Sequence, residues 1–186
     1  MMNKKVLFIT QSAMIAAVYI VLTYFISAFN LASGSIQIRL SEALTILPYF
    51  TPAAIPGLAI GCFLSNILIG SLVPDIIFGS LATLIGAVGT YLLRNHKFVL
   101  TLPPVIANML IVPFVLKYAY GVPSVIFNDV DLTIPFLMVT VGIGEIISCC
   151  ILGTMLVRAL GKYRGQIFGI IASKPVTKAQ VVNKNL

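Results

Sequence analysis

From Gln37 to Asn66 the chain reads QIRLSEALTILPYFTPAAIPGLAIGCFLSN. Polar groups stand near both ends of this stretch, and Pro48, Pro52 and Pro56 interrupt the apolar run between them. No charged residue occurs from Ala43 to Pro74, a run too long for one membrane crossing of roughly 20 residues and slightly short for two. Pro52 and Pro56 lack the amide proton that a continuing helix uses, so the spacing predicts a turn near Phe50–Ala54 with a short helix on either side. Gln37, Arg39, Glu42 and Asn66 then gather at the mouth of a broken apolar hairpin, and polar groups so placed in a membrane point to a ligand site.

Composition supports the membrane setting. Of 186 residues, 59% are hydrophobic and 9% charged, with a mean hydropathy of +1.07; soluble domains carry about 25% charged residues. The net charge of +7 would point to nucleic acid in a soluble protein. Here it orients the chain in the bilayer, and no nucleic-acid partner is expected. No cleavable signal peptide is read, because the first apolar run is too long and no clear small-residue cleavage site follows it. Cys62, Cys149 and Cys150 all sit in apolar runs with no CxxC pair and no nearby histidine, so they read as buried small residues and no metal site is expected.

Counting from charge to charge gives six spans, at about residues 6–29, 40–50, 53–69, 75–93, 98–116 and 133–157. The reading is one all-α integral membrane domain over residues 1–165 and a basic tail over 166–186, without internal repeats. With both termini inside, ten of the twelve basic residues fall on the cytoplasmic side and only Arg39 and Lys117 outside. That split favours an N-in, C-in topology. Glu42, Asp75, Asp129 and Asp131 fall at or near the outer face, leaving Glu145 as the one deep acid.

Glu145 lies mid-span in Val141-Gly-Ile-Gly-Glu-Ile-Ile-Ser148. An acid at that depth costs about 2.5–3.5 kcal/mol on insertion scales, so it is expected to face a ligand cavity or an inter-helix partner, for which Asn108 is the candidate. Gly142 one turn before it and Ser148 and Cys149 one turn after make the same helix face small or polar. Asn66 and Asn108 carry amides suited either to heterocycle edges or to helix packing. Asp75 follows Pro74 and suits a helix start; Ser41 reads as an N-cap with Glu42 in the first turn; Arg39 has Glu42 three positions on as an ion-pair partner. For each of these the helix-start or pairing explanation stands beside the ligand one.

On span one, Ser12, Ala13, Ala16 and Ala17 form a small-residue patch, and Ala13 and Ala17 are a small-xxx-small pair that lets another helix approach closely. This pair, the stretch Gln37-Ile-Arg39-Leu-Ser41-Glu42-Ala-Leu, the stretch Gly61-Cys-Phe-Leu-Ser-Asn66 and the stretch Asp75-Ile-Ile-Phe-Gly-Ser-Leu-Ala-Thr83 together resemble the S components of energy-coupling factor (ECF) vitamin transporters, in particular the QueT group of proposed queuosine-precursor importers. The resemblance covers roughly residues 5–165. It implies a multi-pass protein of a prokaryotic plasma membrane that binds its solute in the outer half, beneath the loop after span one. It further implies docking through Ala13 and Ala17 on a transmembrane coupling subunit carried by two ATPase subunits.

For such a solute, queuine or a related 7-deazaguanine, the implied ligand set is Gln37, Arg39, Glu42, Asn66, Asp75, Asn108 and Glu145. The heterocycle presents adjacent N–H donors that a carboxylate accepts in bidentate fashion, Glu145 or Glu42 being the candidates. Gln37, Arg39, Asn66 or Asn108 would complete the edge, and Asp75 would face an amine.

Other classes fit less well. The chain has no GxxxxGK[ST] loop, so ATP hydrolysis is expected from partners, and no cofactor is implied. An enzyme is not expected: the lone His96 lies in a basic loop, and neither GxSxG nor HExxH occurs. A self-sufficient secondary transporter, proton-coupled through Glu145, or an S component for a different vitamin, remains the alternative.

Overall fold

A computed structural model describes residues 3–28, 39–96 and 99–168. Gln37 and the loop after the first span lie outside the described residues. The first helix, α1 (Lys4–Ala28), contains neither proline nor glycine and runs unbroken for 25 residues, about 37 Å at the α-helical rise. Next comes a 3-10 helix (Leu40–Tyr49) with Pro48 inside it, then α2 (Ala54–Leu68), α3 (Val73–Leu92) and α4 (Leu102–Tyr118). A two-stranded hairpin, β1 (Ile126–Phe127) and β2 (Val130–Asp131), precedes α5 (Thr133–Glu145). A π-helical stretch (Ile146–Leu152), α6 (Gly153–Gly161) and the short α7 (Arg164–Ile167) follow.

The expected turn at Phe50–Ala54 forms, closed by Ala54 N–H to the Thr51 carbonyl and Ile55 N–H to the Pro52 carbonyl, both at 3.2 Å. Pro56 falls in the first turn of α2, where an amide proton would have no intrahelical partner. The segment before the turn is 3-10, not α-helical. A 3-10 helix rises about 2.0 Å per residue against 1.5 Å, so its ten residues reach roughly 20 Å. The winding therefore carries these ten residues further than an α-helix of the same length would. Arg39 is the N-cap and no side chain caps this helix, which removes the reading of Ser41 as a cap. Every residue from Ser41 to Pro48 is buried. The 3-10 helix is the centre of the bundle, touching α1, α2, α3, α6 and the π-helical stretch.

Around it, α1 packs on α2, α2 on α3, α3 on α4 and α4 on α5. Among the described residues, three helices are long and apolar enough to cross a membrane, namely Lys4–Ala28, Val73–Leu92 and the continuous Thr133–Gly161, while α2 and α4 are apolar but shorter. α4 starts at Leu102, later than the 98 expected, because Pro103 and Pro104 fit only a first turn. The last helix continues to Gly161, past the 157 expected. The loop before it contains the hairpin, with Asn128 (φ 50°) and Asp129 (φ 61°) at its tip. Two left-handed residues there match the right-handed twist of the strands, and Asn and Asp tolerate that conformation. Beside it the Lys117 ammonium and the Thr133 hydroxyl hold the Asp131 carboxyl well below the usual carboxylate range.

The small-residue patch of α1 splits between two faces. Ser12 donates to the Ala53 carbonyl at 2.8 Å, and Ala16 is buried, whereas Ala13 and Ala17 are exposed. The inward half meets Gly57 and Gly61 of α2: a Cβ at Gly57 would lie 2.7 Å from the Ser12 carbonyl oxygen, and one at Gly61 would lie 2.8 Å from Tyr19 Cβ. Gly57→Val is therefore expected to destabilise the bundle by about 1–3 kcal/mol through forced separation of α1 and α2. The thermal-unfolding midpoint in detergent reads this, and an unchanged midpoint would refute so close an approach.

At the end of the bundle that holds the Phe50 turn, Phe168 stacks on Phe50 with ring centroids 5.1 Å apart. Gln11 Nε2 donates to the Phe168 carbonyl at 3.4 Å, and Thr51 Oγ1 donates to Gln11 Oε1 at 3.0 Å. Packing thus continues past residue 165, where the sequence places the start of the tail.

Candidate functional site

Glu42 enters the interior from the first turn of the 3-10 helix and is fully buried. Glu145 comes from the last residue of α5, immediately before the π-helical stretch, and is 5% exposed. Widened turns of this kind recur at functional sites because the extra residue re-aims the side chains around it. Here the wide turn places Cys149 Sγ 3.3 Å from Glu145 Oε2 and 3.5 Å from the Glu42 carbonyl, across to the 3-10 helix. Thr45 Oγ1 lies 3.5 Å from the same sulfur. One donor atom each from Glu42, Glu145 and Cys149 lies within 4.8 Å of the other two. Three such atoms are close enough to share a cation, although the thiol is already engaged in these contacts.

The two acids differ in their partners. Tyr19 donates to Glu42 Oε1 at 2.5 Å, and Thr83 donates to the same oxygen at 3.3 Å. Among the described residues, Glu42 Oε2 is buried with no hydrogen-bond partner. Asn108 lies beside Glu145, as the sequence reading expects, and among the described residues its buried Nδ2 makes no close hydrogen bond. Ser148 Oγ is a third buried orphan. Unpaired polar atoms in a buried site each carry a desolvation cost of about 1–3 kcal/mol, and natural proteins keep few of them. Glu42 Oε2 and Asn108 Nδ2, one on each side of the acid pair, leave this place open to further hydrogen bonds.

A second polar centre lies where α3 begins. Arg39 Nη2 is 3.7 Å from Asp75 Oδ2, so the guanidinium pairs with Asp75 and not with Glu42 as sequence spacing proposed. The hydroxyl of Tyr120 donates to the same Asp75 oxygen at 3.1 Å. Asn66 Nδ2 donates to the Asp75 carbonyl at 3.5 Å, and Gly79 leaves room for both side chains, since a Cβ there would sit 3.3 Å from each. Asn66 Nδ2 also lies 3.7 Å from Cys62 Sγ, which leads inward toward Tyr19, Thr83 and Glu42. A chain of polar groups thus runs from Arg39 and Asp75 through Asn66 to the two glutamates.

Arg39, Glu42, Asn66, Asp75, Asn108 and Glu145 are therefore brought into one connected region, and Gln37 lies outside the described residues. Sequence reasoning passed over Tyr19, Thr45 and Tyr120, quoted Thr83 only as the end of a stretch, and placed Cys149 on the face of Glu145 without giving it a role. A tyrosine in mid-helix, on the side of α1 away from Ala13 and Ala17, was the available signal, because a buried phenol needs a partner for its hydroxyl. The pair Ala13 and Ala17 lies on the opposite, exposed face, in a stripe with Ile9, Val21 and Tyr24. Apart from these sites, an apolar groove of about 460 Å³ runs between α3 and α4, lined by Phe78, Leu110, Phe114 and Tyr118 among others. None of the candidate polar residues lines it.

Among known proteins, the family pattern described as QueT transporter matches residues 9–162. The "Queuosine precursor transporter QueT" of Lactococcus lactis subsp. cremoris (strain MG1363) is 36% identical over 85 residues, an alignment covering 46% of this chain and 50% of that protein. The chain thus spans about half the length of the relative it matches. No solved structure matches. Because the family pattern extends from α1 to the end of the last long helix and takes in both polar centres, the chain belongs to the QueT transporter family.

Proposed function

We propose that this chain is the substrate-binding membrane subunit, or S component, of an ATP-driven ECF importer, and that it captures a queuosine precursor, queuine or a related 7-deazaguanine, between Glu42 and Glu145. The observation that carries this reading is the convergence of two buried carboxylates beside unpartnered acceptor and donor atoms, Glu42 Oε2 and Asn108 Nδ2. A planar heterocycle with adjacent N–H donors and a carbonyl offers the complementary atoms: its donors suit a carboxylate in bidentate fashion, and its carbonyl suits an amide N–H. Asn66, Asp75 and Arg39 form the outer part of the same site, with Gln37 beside them in sequence. The name of the Lactococcus lactis relative supports the solute class.

In this reading the chain crosses a prokaryotic plasma membrane six times with both termini inside, the 3-10 helix forming the second crossing. Lys4, Lys5, Arg94, Arg158, Lys162 and Arg164 then share the cytoplasmic end. The exposed Ala13 and Ala17 supply the surface for a transmembrane coupling subunit, which brings two ATPase subunits. Calorimetry of queuine and 7-deazaguanine on the purified chain in detergent, with riboflavin, thiamine and biotin as controls, tests the reading. Selective, stoichiometric binding without any partner is expected; binding of a control vitamin in place of the deazaguanines would reassign the solute, and no binding at all would remove the capture role.

A further inference from the structure

Glu42 is held in an uneven way that the ligand reading does not by itself require. Both hydrogen bonds to its carboxylate end on one oxygen: Tyr19 Oη at 2.5 Å from α1 and Thr83 Oγ1 at 3.3 Å from α3 both reach Oε1. The other oxygen, Oε2, is buried and has none. Tyr19 is 1% exposed and Thr83 fully buried, so water does not compete for either hydroxyl. Nor is Tyr19 free to swing away, because Gly61 packs against its Cβ so closely that a side chain at 61 would not fit.

A terminal carboxylate torsion is broad and nearly two-fold, so a glutamate without anchors presents either oxygen over a wide arc. Two donors from two different helices, both on one oxygen, remove that freedom. No donor among the described residues reaches the second oxygen: Arg39 is bridged to Asp75, and the thiol of Cys149 is directed at Glu145 and the Glu42 carbonyl. A buried acceptor without a partner is costly in the empty protein, and a ligand N–H recovers that cost on binding.

We propose that Tyr19 and Thr83 are positioning residues that hold Glu42 by Oε1 and aim Oε2 at the N–H edge of the ligand, so that they set specificity without touching the ligand. The proposal rests on the ligand site described above. It also places one of the two holding groups on the helix whose opposite face carries Ala13 and Ala17, so the aim of Glu42 depends on where α1 sits.

The test compares two probes that differ in one donor, 7-deazaguanine and 7-deazahypoxanthine, which lacks the exocyclic amine. Affinities are measured by competition calorimetry on the full chain, on Tyr19→Phe and on Thr83→Val, with a thermal-unfolding midpoint for each. Tyr19→Phe is expected to weaken 7-deazaguanine about 10-fold and 7-deazahypoxanthine less than about twofold, collapsing the discrimination between them; a charge-assisted hydrogen bond of ordinary strength accounts for that size. A general packing defect would weaken both probes alike. Equal loss for both, or no loss for either, overturns the proposal. If Tyr19→Phe does not fold, Thr83→Val is judged by the same ratio. If the unaltered chain binds neither probe, the ligand site itself is wrong, which is a different failure from intact binding with unchanged discrimination.

Discussion

Glu145→Gln is expected to weaken binding of queuine or 7-deazaguanine by about 100-fold, close to 3 kcal/mol, with no loss of fold stability. The size follows from removing the charge of one partner in a buried, charge-assisted contact, a change that usually costs about 2–5 kcal/mol. The stability side has a separate cause. Glu145 has Glu42 and Cys149 as its nearest donor-set neighbours, both within 4.8 Å, while the nearby Arg39 is committed to Asp75. A neutral isostere of the same shape removes no hydrogen bond from the bundle, because its amide oxygen still accepts from the Cys149 thiol, now 3.3 Å from Oε2. Calorimetry and a detergent melting curve on the same sample separate the two effects. Normal binding by the variant would move the ligand away from this acid, and a fall in melting temperature would make Glu145 a structural residue.

The double variant Ala13→Trp with Ala17→Trp is expected to do the reverse, leaving solute affinity unchanged and reducing uptake in cells or vesicles to background. Both alanines are exposed, on the face of α1 away from the buried Tyr19, so the larger side chains point out of the bundle. Small residues at such a surface allow a second helix to approach closely, and two indoles hold it away. The measurement pairs binding on purified protein with uptake by the assembled transporter. Full uptake by the variant would exclude this face as the docking surface, and full uptake with no ATPase partner present would favour a self-sufficient carrier.

Much of the architecture could be read from residue order. Pro52 and Pro56 located the turn to within the residues that form it, since a missing amide proton is a local property. The 3-10 winding of Leu40–Tyr49 could not be read, because it depends on how far the segment must reach between its neighbours. The π-helical stretch after Glu145 was equally hidden, as it changes the facing of Ser148 and Cys149 without any mark in the apolar pattern. The inward glycines at 57 and 61 stood in plain sequence, but a small-xxx-small pair names no partner, and only the packing of α1 on α2 supplied Ser12 and Ala16.

The sequence by itself determined a membrane-embedded helical chain, its broken hairpin, its basic end and the types of polar residue available for recognition, all of them consequences of composition and local spacing. Tertiary structure alone decided which of those residues meet. It paired Arg39 with Asp75 across to another helix and not with the nearby Glu42, brought Glu145 to Glu42, and set Tyr19 on one oxygen of the latter. The physical reason is that contacts between helices depend on crossing angle, rotation and relative height, and these are fixed by the packing of whole faces, not by the distance between residues along the chain.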